Sequence, residues 1–317
     1  MHYLMIILPK LLSFLLLIGL GYLISRLGII RKEGLSSLSA LLIRVVLPCL
    51  TVSLMHLRGT TFASLLGCWQ LVLWLLVGYL LLAVVGIICT RLLRLKSPRS
   101  NVHQGCMVGG NFAFVVIPMI MALYAGTEGE QYIPICSAVD TIVVWTLGLA
   151  LFTHGTGDRG EHLLKSLGKR LVNPIIIAIV GMLVLNSLGI ALPEMVLELC
   201  GDIGNISYSL GLIYVGCSVF YLKKGSLSLL KPVSMILLTK LFLVPLLMYM
   251  AASRFLPEME AVILLLILGA PSMTTSVMIA DQYDLDSDYA ATAVFVTTLG
   301  CMVTIPLLLL AVSLLHG

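Results

Sequence analysis

The chain has 317 residues, of which 60% are hydrophobic and only 11% are charged, and its net charge is +4. Soluble domains carry about 25% charged residues, and a globular core cannot hide this much apolar surface from water. The composition therefore excludes an ordinary soluble domain and predicts a membrane protein. Most of the basic residues lie in short loops between apolar segments, so the sequence provides no support for nucleic-acid binding.

Apolar segments of about 20 residues, the length that crosses the hydrocarbon core of a bilayer, recur along the whole chain. They lie near residues 3–25, 34–56, 65–93, 102–125, 131–154, 171–190, 196–221, 231–254, 260–283 and 288–315. The sequence therefore predicts an all-α membrane protein with ten transmembrane helices. The longest connection is the one after the fifth segment, and it is too short for a soluble domain.

Basic residues mark one side of this predicted bundle. The first, third, fifth and seventh loops each carry three or four Lys or Arg, whereas the loops between them carry only Arg58 and Arg254. Because basic loops stay in the cytoplasm, we expect a multi-pass protein of the cell membrane with its N- and C-termini outside.

Two matched interruptions of the apolar pattern indicate a duplication. Gly110 precedes Tyr124 by fourteen residues in the fourth segment, and Gly269 precedes Tyr283 by fourteen residues in the ninth. Five spans are an odd number, so a second five-span half must be inverted relative to the first. The two predicted repeats of this 5+5 inverted arrangement cover residues 1–155 and 156–317.

Both interruptions combine helix-breaking residues with polar side chains. The first contains Gly110, Asn111 and Pro118. The second contains Pro271 followed by the hydroxyls of Ser272, Thr274, Thr275 and Ser276. Broken backbone inside a membrane is tolerated only within protein or beside a water-filled cavity.

Paired broken helices in the two halves of a membrane protein point to a transporter's binding site near the midplane. Their freed N–H groups attract anions, whereas their freed carbonyls attract cations. We therefore predict that the residues of both interruptions bind the substrate. The alternative is a pair of proline kinks whose hydroxyls bond back to their own helix.

Short motifs containing glycine or proline occur in four of the apolar segments. They are Gly110-Asn111-Phe112 with Ile117-Pro118, Asn173-Pro174, Gly269-Ala270-Pro271 with Ala280-Asp281-Gln282-Tyr283, and Thr304-Ile305-Pro306. In this order, and over the whole chain, they resemble the motifs of the auxin efflux carrier family, which includes the PIN-like carriers and their bacterial malonate-type relatives.

This resemblance implies the bile-acid-symporter-like fold. There, spans one, two, six and seven form a scaffold domain, and spans three to five and eight to ten form a mobile transport domain. The broken fourth and ninth helices cross beside the substrate, which moves by elevator-type alternating access. A homodimer through the scaffold helices is also implied.

The same resemblance implies secondary active transport of a small organic anion, such as malonate, malate or an auxin-like acid. The chain departs from the plant members of this family in two ways. These differences favour a small carboxylate over auxin itself as the substrate, and a bacterial inner membrane as the location. Ser276 stands where plant carriers have a proline, and the long soluble loop of many plant members is missing. No cofactor is expected, and the energy would come from a gradient of protons or of Na⁺ because no ATP-binding motif is present.

Four charged residues lie within predicted spans. Asp140 and Lys240 lie about nine residues into spans five and eight, hence near the midplane, and Arg44 is comparably deep, with Asp202 shallower. A lone charge at such a depth is costly, so each is expected to have a partner or a wet cavity. We hypothesise that Asp140 and Lys240 form a coupled charge pair that responds to a carboxylate or a proton. The alternative is a static salt bridge, and Arg44 and Asp202 are expected to serve structure or the dimer interface.

Other function classes find less support. An ungated uniporter or channel-like anion pore would need a continuous polar stripe along several helices, whereas the polar groups concentrate at the two interruptions. A sodium-coupled, bile-acid-like symporter is an alternative on the same fold. A membrane enzyme would need clustered His, Asp or Glu, which the sequence lacks. No metal site is expected either, because residues 284–288 lack the Gly and the Glu of a calcium loop.

Overall fold

The computed structural model describes residues 2–124, 128–155, 174–221 and 229–315. Within these ranges every regular element is a helix, which confirms the predicted all-α class. The basic residues of the fifth loop and Asn173 of the sequence motifs lie outside the described residues. The predicted orientation of the termini therefore stays a prediction from the sequence.

Seven helices make up the described part of the first half. They are α1 (His2–Arg26), α2 (Gly34–Leu57), α3 (Phe62–Gly67), α4 (Trp69–Leu92), α5 (Arg99–Val108), α6 (112–123) and α7 (Gly129–Thr153). The start of α3 is fixed by a capping box, in which Thr61 and Ser64 exchange side-chain to backbone hydrogen bonds.

Six helices make up the described part of the second half. They are α8 (Pro174–Ser187), α9 (Glu194–Phe220), α10 (Leu230–Ala252), α11 (Glu258–Leu268), α12 (Thr275–Gln282) and α13 (Ser287–Leu315).

Among the described residues, six helices are long and apolar enough to cross a membrane, namely α2, α4, α7, α9, α10 and α13. The apolar helices Leu12–Arg26 and Pro174–Ser187 are shorter. The predicted fourth and ninth spans are each divided into two helices, α5 with α6 and α11 with α12, so neither offers one continuous span. These observations support a multi-pass membrane protein, and the count of ten spans stays a prediction.

The centre and the outside of the bundle differ in burial as expected for a protein in lipid. Every residue of α11 from Ala261 to Leu268 is buried, which is the behaviour of a helix that is apolar on all sides. By contrast, α1, α4 and α8 expose many large apolar side chains, such as Leu16, Leu80 and Ile177.

The closest helix packing joins α1 to α9. A Cβ added at Gly21 would collide with the carbonyl oxygen of Ile213, and one added at Gly216 would collide with that of Ile18. Glycine at both positions therefore lets the two backbones touch. Nearer the start of α9, Gly204 packs in the same way against the backbone of Leu50 in α2, and α2 also packs on α8.

Candidate functional site

The two broken helices meet at their breaks. The N–H of Asn111 donates to the carbonyl oxygen of Pro271 at 2.7 Å, and the N–H of Met273 donates to that of Gly109 at 3.1 Å. Within the described chain, this is an isolated antiparallel bridge, and it pairs Gly110 with Ser272. The exchange satisfies backbone groups that each helix end leaves without a partner.

Close approach explains the glycines at this crossing. A Cβ at Gly109 would lie 2.9 Å from the side chain of Met273, and one at Gly110 would lie 3.3 Å from the Cβ of Ala270. Pro271 suits its place because it has no N–H to satisfy and its carbonyl is the acceptor that the bridge needs. Residues of both interruptions thus position each other.

Lys240 provides a positive charge at this crossing. Its side chain is 1% exposed, and its Nζ donates to the carbonyl oxygens of Cys106 (2.8 Å) and Gly109 (2.6 Å). These carbonyls belong to the C-terminal end of α5, where the helix dipole is negative. The hydroxyl of Ser272 also donates to the carbonyl of Cys106, at 3.0 Å. Lys240 therefore caps the half-helix that ends at the crossing.

Asp140 lies near the crossing but does not contact Lys240. The Oη of Tyr79 donates to Oδ1 of Asp140 at 2.5 Å, and the ion pairs between described residues are Arg58–Glu130 and Arg99–Asp286. A direct salt bridge between Asp140 and Lys240 is therefore not formed. Any coupling between the two charges acts through space.

A cavity of about 100 Å³, here called the crossing cavity, opens beside the bridge. Of the predicted site residues, it is lined by Gly110, Asn111, Asp140, Thr274 and Thr275. Its remaining wall is largely apolar and comes from α2, α6 and α7, with Leu50, Phe112 and Trp145 as examples. A few polar groups set in an apolar wall are typical of a small-molecule site.

Asn111, which lines this cavity, has a buried side-chain amide that lacks a hydrogen-bond partner among the described residues. Its side chain is 4% exposed, and its amide Nδ2 is buried without a hydrogen-bond partner. An unpaired buried donor costs free energy, and in a native structure it calls for an explanation. A carboxylate in the crossing cavity would accept the hydrogen bond that Asn111 has available.

The other predicted site residues lie outside the wall of the crossing cavity. Pro118 is half-buried within α6, beyond the break. Pro271 and Ser272 act in the bridge itself, and the N–H of Ser272 donates to the hydroxyl of Thr297 at 3.0 Å. Ser276 is fully buried in the first turn of α12. The structure thus gathers five predicted residues at the cavity and gives Pro271 and Ser272 supporting roles.

A second cavity of about 330 Å³, here called the Lys32 cavity, also reaches Thr274. It is lined by Lys32, Asp281 and Asp288 among others. The part of α2 that lines the Lys32 cavity is the start of the helix. The part that lines the crossing cavity runs from the middle of the helix toward its end. Between the two, the hydroxyl of Ser39 contacts the sulfur of Met278 at 2.7 Å.

Tyr79 and Thr297 are functional candidates that sequence reasoning missed. Both are buried, and their partners lie 61 and 25 residues away in the chain, in Asp140 and Ser272. A lone Tyr or Thr in an apolar helix carries no motif. The only indication in the sequence was that each is a polar side chain inside a predicted span.

Arg44 and Asp202, the two other charges within predicted spans, are both exposed at the surface of the chain. They belong to α2 and α9, which pack on each other. Neither takes part in the ion pairs formed between described residues.

Comparison with known proteins agrees with this architecture. The model of a family described as membrane transport protein matches residues 6–309, which is nearly the whole chain. No curated protein sequence matches the chain.

Proposed function

Because the chain belongs to the membrane transport protein family, that of the auxin efflux carriers, we propose that it is a secondary active transporter of a small organic anion. The observation that carries this proposal is the buried, unpartnered amide of Asn111 in the wall of the crossing cavity. Transport rather than catalysis is the function that the family indicates.

The substrate class follows from the half-helices that begin at the crossing. α6 starts directly after Asn111 and α12 starts at Thr275, so the N-terminal ends of both adjoin the crossing cavity. Such ends carry free N–H groups and a positive partial charge, which favour a carboxylate. The small cavity suits a compact acid such as malonate or malate better than an aromatic, auxin-like acid.

The coupling ion that we propose is the proton. The ammonium of Lys240 holds the carbonyls of Cys106 and Gly109, and carbonyls freed at a break are the groups that would otherwise bind Na⁺. Asp140 lines the same cavity as Asn111 and can take up or release a proton. A sodium-coupled symporter is the alternative, and it would need another cation site.

The mechanism that we propose is an elevator. Helices α1, α2, α8 and α9 pack mainly on one another and would form the scaffold, and the remaining helices would form the transport domain. The two cavities that reach Thr274 from different levels of α2 support alternating access. The exposed charges Arg44 and Asp202 favour a homodimer through the scaffold, since a charge facing lipid is costly.

The direct test is uptake of radiolabelled malonate and malate into proteoliposomes under an imposed proton or sodium gradient. We expect uptake driven by the proton gradient and abolished by Asn111→Ala, with Asn101→Ala as the matched control. Uptake that needs Na⁺ would refute the coupling proposal. Uptake that Asn111→Ala leaves unchanged would refute the site, and passive flux without any gradient dependence would indicate a pore.

A further inference from the structure

A third cavity, away from the crossing, lies where α4 ends, α5 begins and α7 ends. It measures about 580 Å³. We call it the basic cavity, after its polar lining of Thr90, Arg91, Arg94, Ser100, Gln104 and His154. Apolar side chains, including Ile87 and Leu151, form the rest of its wall. It shares no lining residue with the crossing cavity.

Among the described residues, nothing compensates the positive charge of this cavity. Arg91 and Arg94 are both exposed, and none of the described residues that line the cavity is acidic. The neighbouring Arg99 differs, because it pairs with Asp286 at 2.8 Å. Guanidinium groups bind phosphate through paired hydrogen bonds. Two of them in one cavity, neither in an ion pair with a described residue, therefore suit a phosphate-bearing ligand.

The backbone at Arg94 points to a use for its side chain. α4 ends in a Schellman motif, in which the N–H of Leu95 bonds to the carbonyl of Thr90 (2.9 Å) and that of Arg94 to the carbonyl of Arg91 (3.1 Å). Arg94 occupies the left-handed position of this motif with φ +52°, where glycine is the favoured residue. The fold alone would favour glycine, which has no side chain, at this position. The chain has the long cationic side chain of Arg94 there instead.

We propose that the basic cavity binds the phosphate headgroup of an anionic phospholipid. The chemistry would also suit a soluble phosphate, but the apolar wall beside the arginines offers a surface for acyl chains. The cavity lies at the ends of three membrane helices on the side of the basic third loop, and basic pockets between helices on that side of a membrane bind acidic lipid headgroups. The proposal does not depend on which solute the protein carries.

The test measures thermal unfolding of the purified protein in detergent while phosphatidylglycerol, phosphatidylcholine or inorganic phosphate is titrated. We expect phosphatidylglycerol to raise the melting temperature more than the other two. Arg94→Gly should raise the half-saturating lipid concentration about fivefold, and Arg91→Gln with Arg94→Gly about tenfold or more. Without lipid, Arg94→Gly should unfold no earlier than the wild type because it relieves the left-handed conformation.

Two controls separate headgroup recognition from general charge. Arg31→Gln removes an exposed arginine from another basic loop and should keep the wild-type response, and Arg91→Lys with Arg94→Lys should keep part of it. An unchanged response of the double variant lacking both arginines would overturn the proposal. An effect of phosphatidylcholine equal to that of phosphatidylglycerol would also overturn the proposal. The same holds if inorganic phosphate stabilises the protein as much as the lipid does and competes with it.

Discussion

Two side chains have different roles at the break between α5 and α6. Lys240 donates to the carbonyl end of α5, whereas Asn111, at the start of α6, lines the crossing cavity and has a buried amide without a hydrogen-bond partner among the described residues. At this three-residue break, Lys240 contacts the end of one half-helix, and the anion that we propose as substrate would bind at the start of the other. Replacing either side chain should have a distinct effect.

Lys240→Met should destabilise the protein. It leaves two carbonyls of α5 without their charged donor, and hydrogen bonds to charged groups contribute about 1.5–3 kcal/mol each. We expect a lower melting temperature in detergent and lower uptake. Lys231→Met, at an exposed position of the same helix, is the control and should change the melting temperature little. An unchanged melting temperature for Lys240→Met would contradict the capping role.

Asp140→Asn should separate binding from proton coupling. Asparagine keeps the size of the side chain and an acceptor for Tyr79, but it cannot exchange a proton. We expect exchange of labelled for unlabelled malonate to persist while stimulation by a proton gradient disappears. Uptake by the variant that a proton gradient still stimulates would remove Asp140 from the coupling step.

At the residue scale, the sequence predicted which side chains reach the cavity better than what they contact. Asn111, Asp140 and Thr274 were predicted from polarity inside apolar segments, and all three line it. The partners of Asp140 and Lys240 could not be predicted, because they come from α4 and from the backbone of α5. Contacts between distant helices leave no trace in local periodicity.

At the element scale, proline shapes the helices around the site. Of the four π-helical turns among the described residues, three end two residues before a proline, namely Leu42–Val46, Phe112–Val116 and Thr239–Leu243, whereas Val144–Gly148 does not. Proline has no N–H and its ring clashes with the carbonyl four residues earlier, so the turn before it widens. Such widened turns are frequent at functional sites, and here one contains Lys240 and another begins at the break itself.

The sequence predicted the position of both breaks, but not the residue at which each break ends. It predicted interruptions over residues 109–118 and 269–276, whereas the helix resumes at Phe112 and at Thr275. Pro118 was predicted to belong to the first break, but it lies inside α6. A helix tolerates a proline there because the turn before it is widened. The matched spacing was informative, since Tyr124 and Tyr283 each end the second half-helix of their pair.

The packing of α1 on α9 should depend on Gly21. A methyl group there would collide with the carbonyl of Ile213, and overpacking of this kind costs about 1–3 kcal/mol. Gly21→Ala should therefore lower the melting temperature. Gly19→Ala, in the same helix with no atom within 4 Å of the added Cβ, should leave it unchanged or raise it. Equal effects of the two changes would contradict the close approach.

For the molecule as a whole, the all-helical membrane class followed from the composition together with apolar segments of about 20 residues, the length of a membrane-spanning helix. The grouping into scaffold and transport domains could not follow from periodicity, since lipid-facing and protein-facing surfaces are both apolar. It came from the resemblance of the motifs, and it stays a prediction.

The proposed homodimer makes a prediction about Arg44 and Asp202. If they pair across the interface, Arg44→Glu or Asp202→Arg alone should weaken the dimer by placing like charges together, and the two changes combined should restore it. Native mass spectrometry or light scattering in detergent measures the result. A dimer that neither single change weakens, or a protein that is monomeric from the start, would contradict the pairing.

A carboxylate, in the function that we propose, binds in the crossing cavity through the amide of Asn111. Equilibrium binding of radiolabelled malonate to the purified protein tests it most directly, with Asn111→Asp as an isosteric variant. We expect saturable binding that the variant weakens at least about tenfold, because the variant loses a hydrogen bond to a charged ligand and gains a repelling charge. Equal affinity of the wild type and the variant for malonate would contradict it.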